Sequence, residues 1–196
     1  FFESAEVLVD MTGGVQVLAG THNHGQGHET TYAQIVSDRL GLPFDGIAVL
    51  EGDTDAVPMG TGTFGSRSIA VGGSAIVLAV DKIIEKGRRI AAHLFEAADE
   101  DVSFLKGVFS ISGTDRQITL EEVAKVANLG HILPANIEPG LNENAFYDPP
   151  NFAYSNGGHV VEIEIDQDTG TMEIQRYCTV DDIGTVINPM IVHAQI

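Results

Sequence analysis

The stretch "GTHNHGQGHETTYAQ", residues 20–34, separates two segments of different pattern, and the fold can be predicted from it towards both ends of the chain. Before it, residues 4–19 alternate apolar and polar side chains around the turn-like "MTGG", which predicts a β-hairpin. After it, residues 28–40 carry apolar side chains at helical spacing, and Gly41 before Pro43 is typical of a helix end. The stretch therefore predicts a glycine-rich loop between a strand and the first turn of a helix.

The rest of the chain supplies further strands and helices. Residues 46–53 predict a buried strand, and residues 66–99 predict a long helix whose first half is apolar on nearly all sides and should be buried. Gly72 and Gly73 lie inside that helix, where each costs about 1 kcal/mol relative to Ala, so we expect close packing against another backbone. The remaining segments predict a hairpin, a capped helix, an irregular connection and a last hairpin, at residues 102–112, 119–128, 128–157 and 158–184. Together they predict an α+β fold, with hairpins and a mixed sheet packed on helices.

Charge and composition exclude several classes of function. The chain of 196 residues has 28 acidic and 10 basic side chains and a formal charge of −18, which disfavours nucleic-acid binding. No apolar run reaches the roughly 18 residues of a membrane span. The single cysteine, Cys178, excludes an internal disulfide and fits a reducing cytoplasm. Within the first 81 residues the only basic side chains are Arg39 and Arg67, so an anion bound there would need backbone N–H groups.

The opening stretch allows three interpretations. His24 and His28 lie four residues apart, which suggests a metal site, but a zincin helix has its glutamate between the histidines and no glycines there. Alternatively, the polar side chains only form local hydrogen bonds within a turn and bind no ligand. The third interpretation is an anion-binding loop, because Gly25 and Gly27 allow close backbone approach and the following helix begins with unpaired N–H groups.

A second glycine-rich loop, "GTGTFGSRS" at residues 60–68, also leads into a helix. It matches G-x-G-x-x-G formally, but its preceding strand ends too early for a dinucleotide fold, and "GSR" stands where a P-loop requires "GK[ST]". An ordinary glycine loop with a surface arginine is the plain alternative. Two such loops predict one ligand with two polar ends, and neither loop contains an obvious nucleophile.

The C-terminal stretch "TVDDIGTVINPMIVHAQI", residues 179–196, is less specific. Asp181 and Asp182 end a strand and could serve acid–base chemistry, a metal or a heterocycle, although acidic turns are common. Asn188-Pro189 is expected to break the chain. Cys178, in an alternating strand, is expected to be a small buried hydrophobe.

Four ordered segments resemble the large, molybdenum-binding subunit of the xanthine dehydrogenase/aldehyde oxidase family, most closely its aerobic carbon monoxide dehydrogenase members. The segments are "GTHNHGQGHETTYAQIVSDRLGLP", "GDTDAVPMGTGTFGSRSIAVGGSAI", "AFYDPPNFAY" and "GHVVEIEIDQDTGTMEIQRYCTVDDIGTVINPMIVHAQI". The resemblance implies that residues 1–196 are a fragment of the second molybdopterin-binding domain, with two subdomains meeting near residues 100–157.

The resemblance also implies a cofactor, site residues and partners. The cofactor is molybdopterin cytosine dinucleotide carrying molybdenum, and the partners are the remainder of the large subunit, a flavin-binding medium subunit and a 2Fe–2S small subunit. By position, the implied cofactor contacts are Gln26, Gly27, His28, Glu29, Thr30, Gly65, Ser66, Arg67, Ser68, Asp182 and Gln195. No direct protein ligand to the metal is implied.

The family hydroxylates carbon centres or oxidises CO at molybdenum, with aldehydes and heterocycles among its substrates. Its active-site glutamate loop and cysteine loop have no counterpart in this sequence, so no catalytic residue is predicted and the fragment is expected to be inactive alone. The alternative hypothesis is a non-catalytic acidic binding domain with a histidine-rich metal loop.

Overall fold

A computed structural model describes residues 1–196, which divide near Pro150 into two units that are described separately. The elements of unit 1 are β1 (Glu3–Val9), β2 (Val15–Ala19), α1 (His28–Leu40), β3 (Ile47–Glu51), a π-helical segment (Ser68–Gly72), α2 (Gly73–Phe95), β4 (Val102–Leu105), β5 (Val108–Ile111), β6 (Gln117–Thr119), α3 (Leu120–Leu129) and β7 (Leu141–Tyr147). Unit 2 contains β8 (Asn156–Ile165), β9 (Met172–Asp182) and α4 (Pro189–Gln195) except for its last residue, Gln195. The predicted α+β class is confirmed.

The main sheet of unit 1 has the strand order β3-β2-β1-β7. β1 and β2 form the predicted antiparallel hairpin, whereas β2 and β3 run parallel, with Ala19 paired to Glu51 at their carboxyl ends. A parallel pair needs a crossover connection, and α1 provides it. The N-terminus of α1 consequently lies at the carboxyl ends of β2 and β3, the edge at which open α/β sheets bind ligands.

The core lies between this sheet and α2. Along α2, buried residues recur at helical spacing (Ile76, Ala79, Val80, Ile83 and Ile90), so one face of the helix packs on the sheet while the other meets solvent. The smaller sheet β4-β5-β6 packs beside this helix through Phe109, which is fully buried.

The predicted hairpin 102–112 and the capped helix are both confirmed. Lys106 and Gly107 turn the β4–β5 hairpin with φ of 47° and 79°, and α3 begins with a complete capping box between Thr119 and Glu122. Hydrogen bonds from the Thr119 backbone N–H and hydroxyl lower the pKa of Glu122.

Three predictions for unit 1 need correction. Residues 128–157 are not wholly irregular, because Leu141–Tyr147 forms β7 and pairs antiparallel with β1 along its whole length. The buried strand predicted at residues 46–53 is the shorter edge strand β3, Ile47–Glu51, and it is only half-buried. The long helix ends at Phe95, and its first half is not buried on all sides, since Ile69 and Leu78 are exposed.

The paired glycines of the long helix pack closely, but against side chains and not against another backbone. A Cβ on Gly72 would lie 2.8 Å from the Tyr32 hydroxyl oxygen and 3.1 Å from Cγ2 of Thr21. A Cβ on Gly73 would meet the side chains of Ile69 and Ile35. The lack of a side chain at Gly72 therefore makes room for Tyr32.

Unit 2 confirms the last predicted hairpin and corrects two local predictions. β8 and β9 pair antiparallel around a turn at residues 166–171, in which the Asp166 carboxylate accepts backbone N–H bonds from Asp168 and Thr169. Cys178 is exposed and not buried. Asn188-Pro189 begins a helix instead of breaking the chain, because the Asn188 side chain accepts the backbone N–H of Ile191 and proline suits the first helical position. None of the helices in either unit combines the length and hydropathy needed to cross a membrane.

Candidate functional site

The first glycine-rich loop ends directly at the N-terminus of α1. Gly25 and Gly27 have φ of 102° and 77°, values that favour glycine, and Gly27 is the N-cap without a side-chain cap. The Gln26 side-chain oxygen accepts the backbone N–H of His24, which fixes the bend. Since the first N–H groups of a helix have no intrahelical acceptor, those of α1 are available to a ligand.

The second loop, residues 60–67, has the same character. Gly62, Gly65 and Ser66 have φ of 89°, 59° and 54°, and the loop leads into the π-helical segment that precedes α2. A Cβ placed on Gly25, Gly62 or Gly65 would meet no atom within 4 Å, so open space lies beside both loops.

The two loops touch each other. Gly20 and Gly60 cross so closely that a Cβ on Gly20 would lie 2.7 Å from the Gly60 Cα, and one on Gly60 would lie 2.8 Å from the Gly20 Cα. The His22 backbone N–H also donates to the Thr63 hydroxyl at 2.9 Å. The structure thus brings together two loops that are 40 residues apart in sequence and places two helix N-termini at one edge of the sheet.

Arg67 anchors the second loop from inside. Its guanidinium forms a buried ion pair with Glu3, which is fully buried at the start of β1. Its terminal nitrogens also donate to the backbone carbonyls of Gly62, Phe1 and Phe2 at 2.9, 3.2 and 2.9 Å. The positive charge of Arg67 is therefore used within the chain and is not presented to a ligand.

A buried polar network lies beneath the loops. The fully buried Tyr32 donates its hydroxyl to the Ser68 carbonyl at 2.9 Å and lies 3.0 Å from the Thr21 hydroxyl. Thr21 in turn donates to Glu51, and His28 Nδ1 lies 3.2 Å from the same Glu51 oxygen. Burial raises the pKa of the Tyr32 phenol far above its usual value, so this group stays a neutral donor.

The sequence-predicted residues divide between the two units. Nine of them belong to the two loops and the first turns that follow: Gln26, Gly27, His28, Glu29, Thr30, Gly65, Ser66, Arg67 and Ser68. His28, Arg67 and Ser68 are buried, whereas Glu29, Gly65 and Ser66 are exposed and the rest lie between. In unit 2, Asp182 is exposed and accepts the Gly184 N–H at 3.1 Å. Gln195, at the end of α4, is exposed.

Sequence reasoning missed Glu3, Thr21, Tyr32 and Glu51, which support the loops from below. Glu51 gave a usable signal, because it ends a strand whose partner strand leads into the glycine-rich loop. Glu3 gave none, since its pairing with Arg67 spans 64 residues. The metal interpretation finds no support, as no group of three or more His, Cys, Asp or Glu side chains could hold a metal ion.

The geometry suits an anionic ligand that needs hydrogen bonds more than counter-charge. Two helix N-termini supply donors and the positive ends of two helix dipoles. Both basic side chains of the first 81 residues are internally paired, Arg67 with Glu3 and Arg39 with Asp81. A ligand at these loops would therefore be held by backbone N–H groups and neutral side chains.

Comparison with known proteins agrees with this geometry. Residues 2–196 match the family described as molybdopterin cofactor-binding domain. The chain is 44% identical over its whole length to the carbon monoxide dehydrogenase large chain of Hydrogenophaga pseudoflava and 35% identical to the nicotine 6-hydroxylase large subunit of Paenarthrobacter nicotinovorans. It covers 24% of each of these relatives. It also superposes on a reconstituted CO dehydrogenase from Oligotropha carboxidovorans with a TM-score of 0.92, at 42% identity, over 100% of this chain and 24% of that one.

Proposed function

The chain belongs to the molybdopterin cofactor-binding domain family, and on that premise we propose that it grips molybdopterin cytosine dinucleotide in the large subunit of a molybdenum hydroxylase. The main support for this proposal is that two glycine-rich loops, each followed by a helix N-terminus, contact each other at the carboxyl ends of β2 and β3.

The residues present fit such a cofactor. Its phosphate groups need donors, which the backbone N–H groups of the first turns after Gly27 and Ser66 provide, and the open space beside Gly62 and Gly65 admits a ligand to the backbone. Gln26, Thr30 and Ser66 carry neutral polar groups that match the donors and acceptors of a pterin or a cytosine. Asp182 and Gln195 are proposed as further contacts from their positions in the sequence motif.

Arg67 contributes indirectly under this proposal. Its pairing with Glu3 and its bonds to three carbonyls hold the second loop rigid, so that the loop is formed before the ligand arrives. When bound, the cofactor supplies the redox chemistry, while these residues orient it and shield it from water.

The activity of the whole protein extends beyond the quarter of the relatives that this chain spans. We propose a cytoplasmic oxidoreductase with a flavin-binding medium subunit and a 2Fe–2S small subunit, which oxidises CO or hydroxylates a small aldehyde or heterocycle. The carbon monoxide dehydrogenase and nicotine 6-hydroxylase relatives support this reaction class.

The proposal is tested by changing Gln26 in the full-length polypeptide. We expect Gln26→Ala to lower the molybdenum and the acid-released cytidine nucleotide per protein about tenfold, because the side chain both shapes the bend and offers an amide to the ligand. Gln117→Ala, at an exposed position of β6, is the matched control and should keep the wild-type content. Wild-type content in Gln26→Ala would contradict the proposal, and adenosine or guanosine nucleotide in place of cytidine would contradict the form of the cofactor.

A further inference from the structure

Glu51 is a buried carboxylate with an unusual set of partners. Its side chain is only 4% exposed, and one oxygen, Oε1, receives both the Thr21 hydroxyl and His28 Nδ1. The other oxygen, Oε2, is sealed from solvent and has no hydrogen-bond partner. A buried carboxylate that leaves one oxygen unpaired costs stability, so stability alone does not explain this residue.

The partner of Glu51 is the residue that begins α1. His28 is 7% exposed, and its ring stacks on Tyr32 with centroids 5.5 Å apart. With Nδ1 directed at Glu51, Nε2 is the remaining polar atom of the ring. No hydrogen bond to Nε2 is formed within the chain, and Nε2 is not among the fully buried atoms that lack a partner, so it is not sealed from solvent.

We propose that Glu51 is a positioning residue that fixes the ring orientation and the tautomer of His28, so that Nε2 is presented to the bound cofactor. A carboxylate can only accept, so the proton of this contact resides on Nδ1 of the imidazole. The neutral ring then offers Nε2 as an acceptor for an amine or ring N–H of the ligand, and the protonated ring offers it as a donor to phosphate. This inference rests on the proposed function, because it needs a ligand at the first loop.

The same carboxylate links the two loops. Through the adjoining hydroxyls of Thr21 and Tyr32 the polar contacts continue to the Ser68 carbonyl at the start of the π-helical segment. The orientation of His28 is therefore set by the same network that positions the second helix N-terminus. Stacking on Tyr32 restricts the ring further, and the carboxylate then selects which nitrogen faces outward.

The test is a double-mutant cycle in the full-length, cofactor-loaded protein. The readout is the rate at which molybdenum and pterin are lost during incubation, measured as metal and pterin fluorescence that remain after gel filtration. We expect Glu51→Met to accelerate the loss about tenfold, the lower end of what is found when the partner that orients a metal-bound histidine is removed. Glu51→Gln keeps an acceptor oxygen and should recover part of the retention.

Comparing the effect of Glu51→Met with and without His28 distinguishes a residue that positions His28 from one that only stabilises the fold. If Glu51 acts through His28, Glu51→Met should have no further effect in a His28→Asn background. Glu122→Met is the matched control, since it removes a hydrogen-bonded carboxylate from α3 and should lower the melting temperature without accelerating cofactor loss.

The possible failures are distinguishable. An equal effect of Glu51→Met in both backgrounds, or no effect while His28→Asn accelerates the loss, would overturn the positioning role and leave the proposed function intact. Wild-type retention in His28→Asn would overturn both the positioning role and the proposed contact at His28.

Discussion

The crossing of Gly20 and Gly60 allows a prediction whose size follows from distances. In Gly20→Ala the new Cβ would lie 2.7 Å from the Gly60 Cα, and it would also meet the Met59 carbonyl oxygen and the Glu3 carboxylate. Ordinary van der Waals contact begins at 3.4 Å, so the second loop must retreat by 0.7 Å at the Gly60 Cα and by more at the Met59 carbonyl oxygen, which lies closer. Two of the three obstacles are backbone, and the third is a buried carboxylate held by Arg67, so no flexible side chain can relieve the clash.

Overpacking of this kind costs about 1–3 kcal/mol, and the rigid surroundings favour the upper end. For a chain of this size each kcal/mol lowers the melting temperature by about 2–4 °C, so we expect a decrease of about 6–12 °C by scanning fluorimetry. Because Gly60→Ala strains the same contact from the other side, the double variant should cost less than the sum of the single variants.

Gly46→Ala is the matched control for this experiment. Gly46 has an ordinary negative φ, and a Cβ there would meet nothing within 4 Å. A melting temperature of Gly20→Ala within 1 °C or so of this control would refute the reasoning, since backbone contact would then not hold the loops together.

Three further changes have expected outcomes. Tyr32→Phe removes a buried donor from a carbonyl and should cost about 1–3 kcal/mol in urea denaturation. Glu3→Gln leaves Arg67 buried without its counter-charge and should cost about 3–5 kcal/mol, and the double variant Glu3→Gln/Arg67→Met should cost less than the sum of the two single variants. Thr119→Ala should cost about 1 kcal/mol at neutral pH. The lowered pKa of Glu122 stabilises the fold above its usual value of 4.5, and this contribution is lost as the pH falls through the lowered value, so the Thr119→Ala deficit should shrink in acid.

Local sequence patterns predicted most helices and strands correctly. Each wrong prediction concerns a feature that depends on contacts or context outside the short pattern from which it was made. β7 was missed because "LNENAFY" contains asparagine and alanine, which are uncommon in strands, and its stability comes from pairing with β1, more than 130 residues earlier. Asn188-Pro189 was interpreted from the pair alone, although the same two residues are a favourable N-cap and first helical residue. Cys178 was assigned to the interior from alternation, but the residues of β8 and β9 in unit 2 are exposed on both faces.

The two loops of the candidate site could be predicted from the sequence, but the buried residues that hold the loops in place could not. Glycines before a helix are a local signal, so residues 25–30 and 65–68 could be found from the sequence. The supporting contacts join distant positions, such as Arg67 to Glu3 and His28 to Glu51, and only the fold brings them together. The same pairing corrects the picture of Arg67 as a surface arginine, because its charge is neutralised inside the chain.

Arg67 holds the second loop by hydrogen bonds to residues 1 and 2, and these bonds do not depend on which side chains those two residues carry. The hydrogen bonds run to the main-chain carbonyls of Phe1 and Phe2, which every amino acid possesses. Substituting these residues would keep both acceptors, so the anchoring of a loop that lies 60 residues downstream does not depend on the two side chains. Homologous chains could therefore differ freely at these positions and still share the contact, and aligned side chains would give no sign of it.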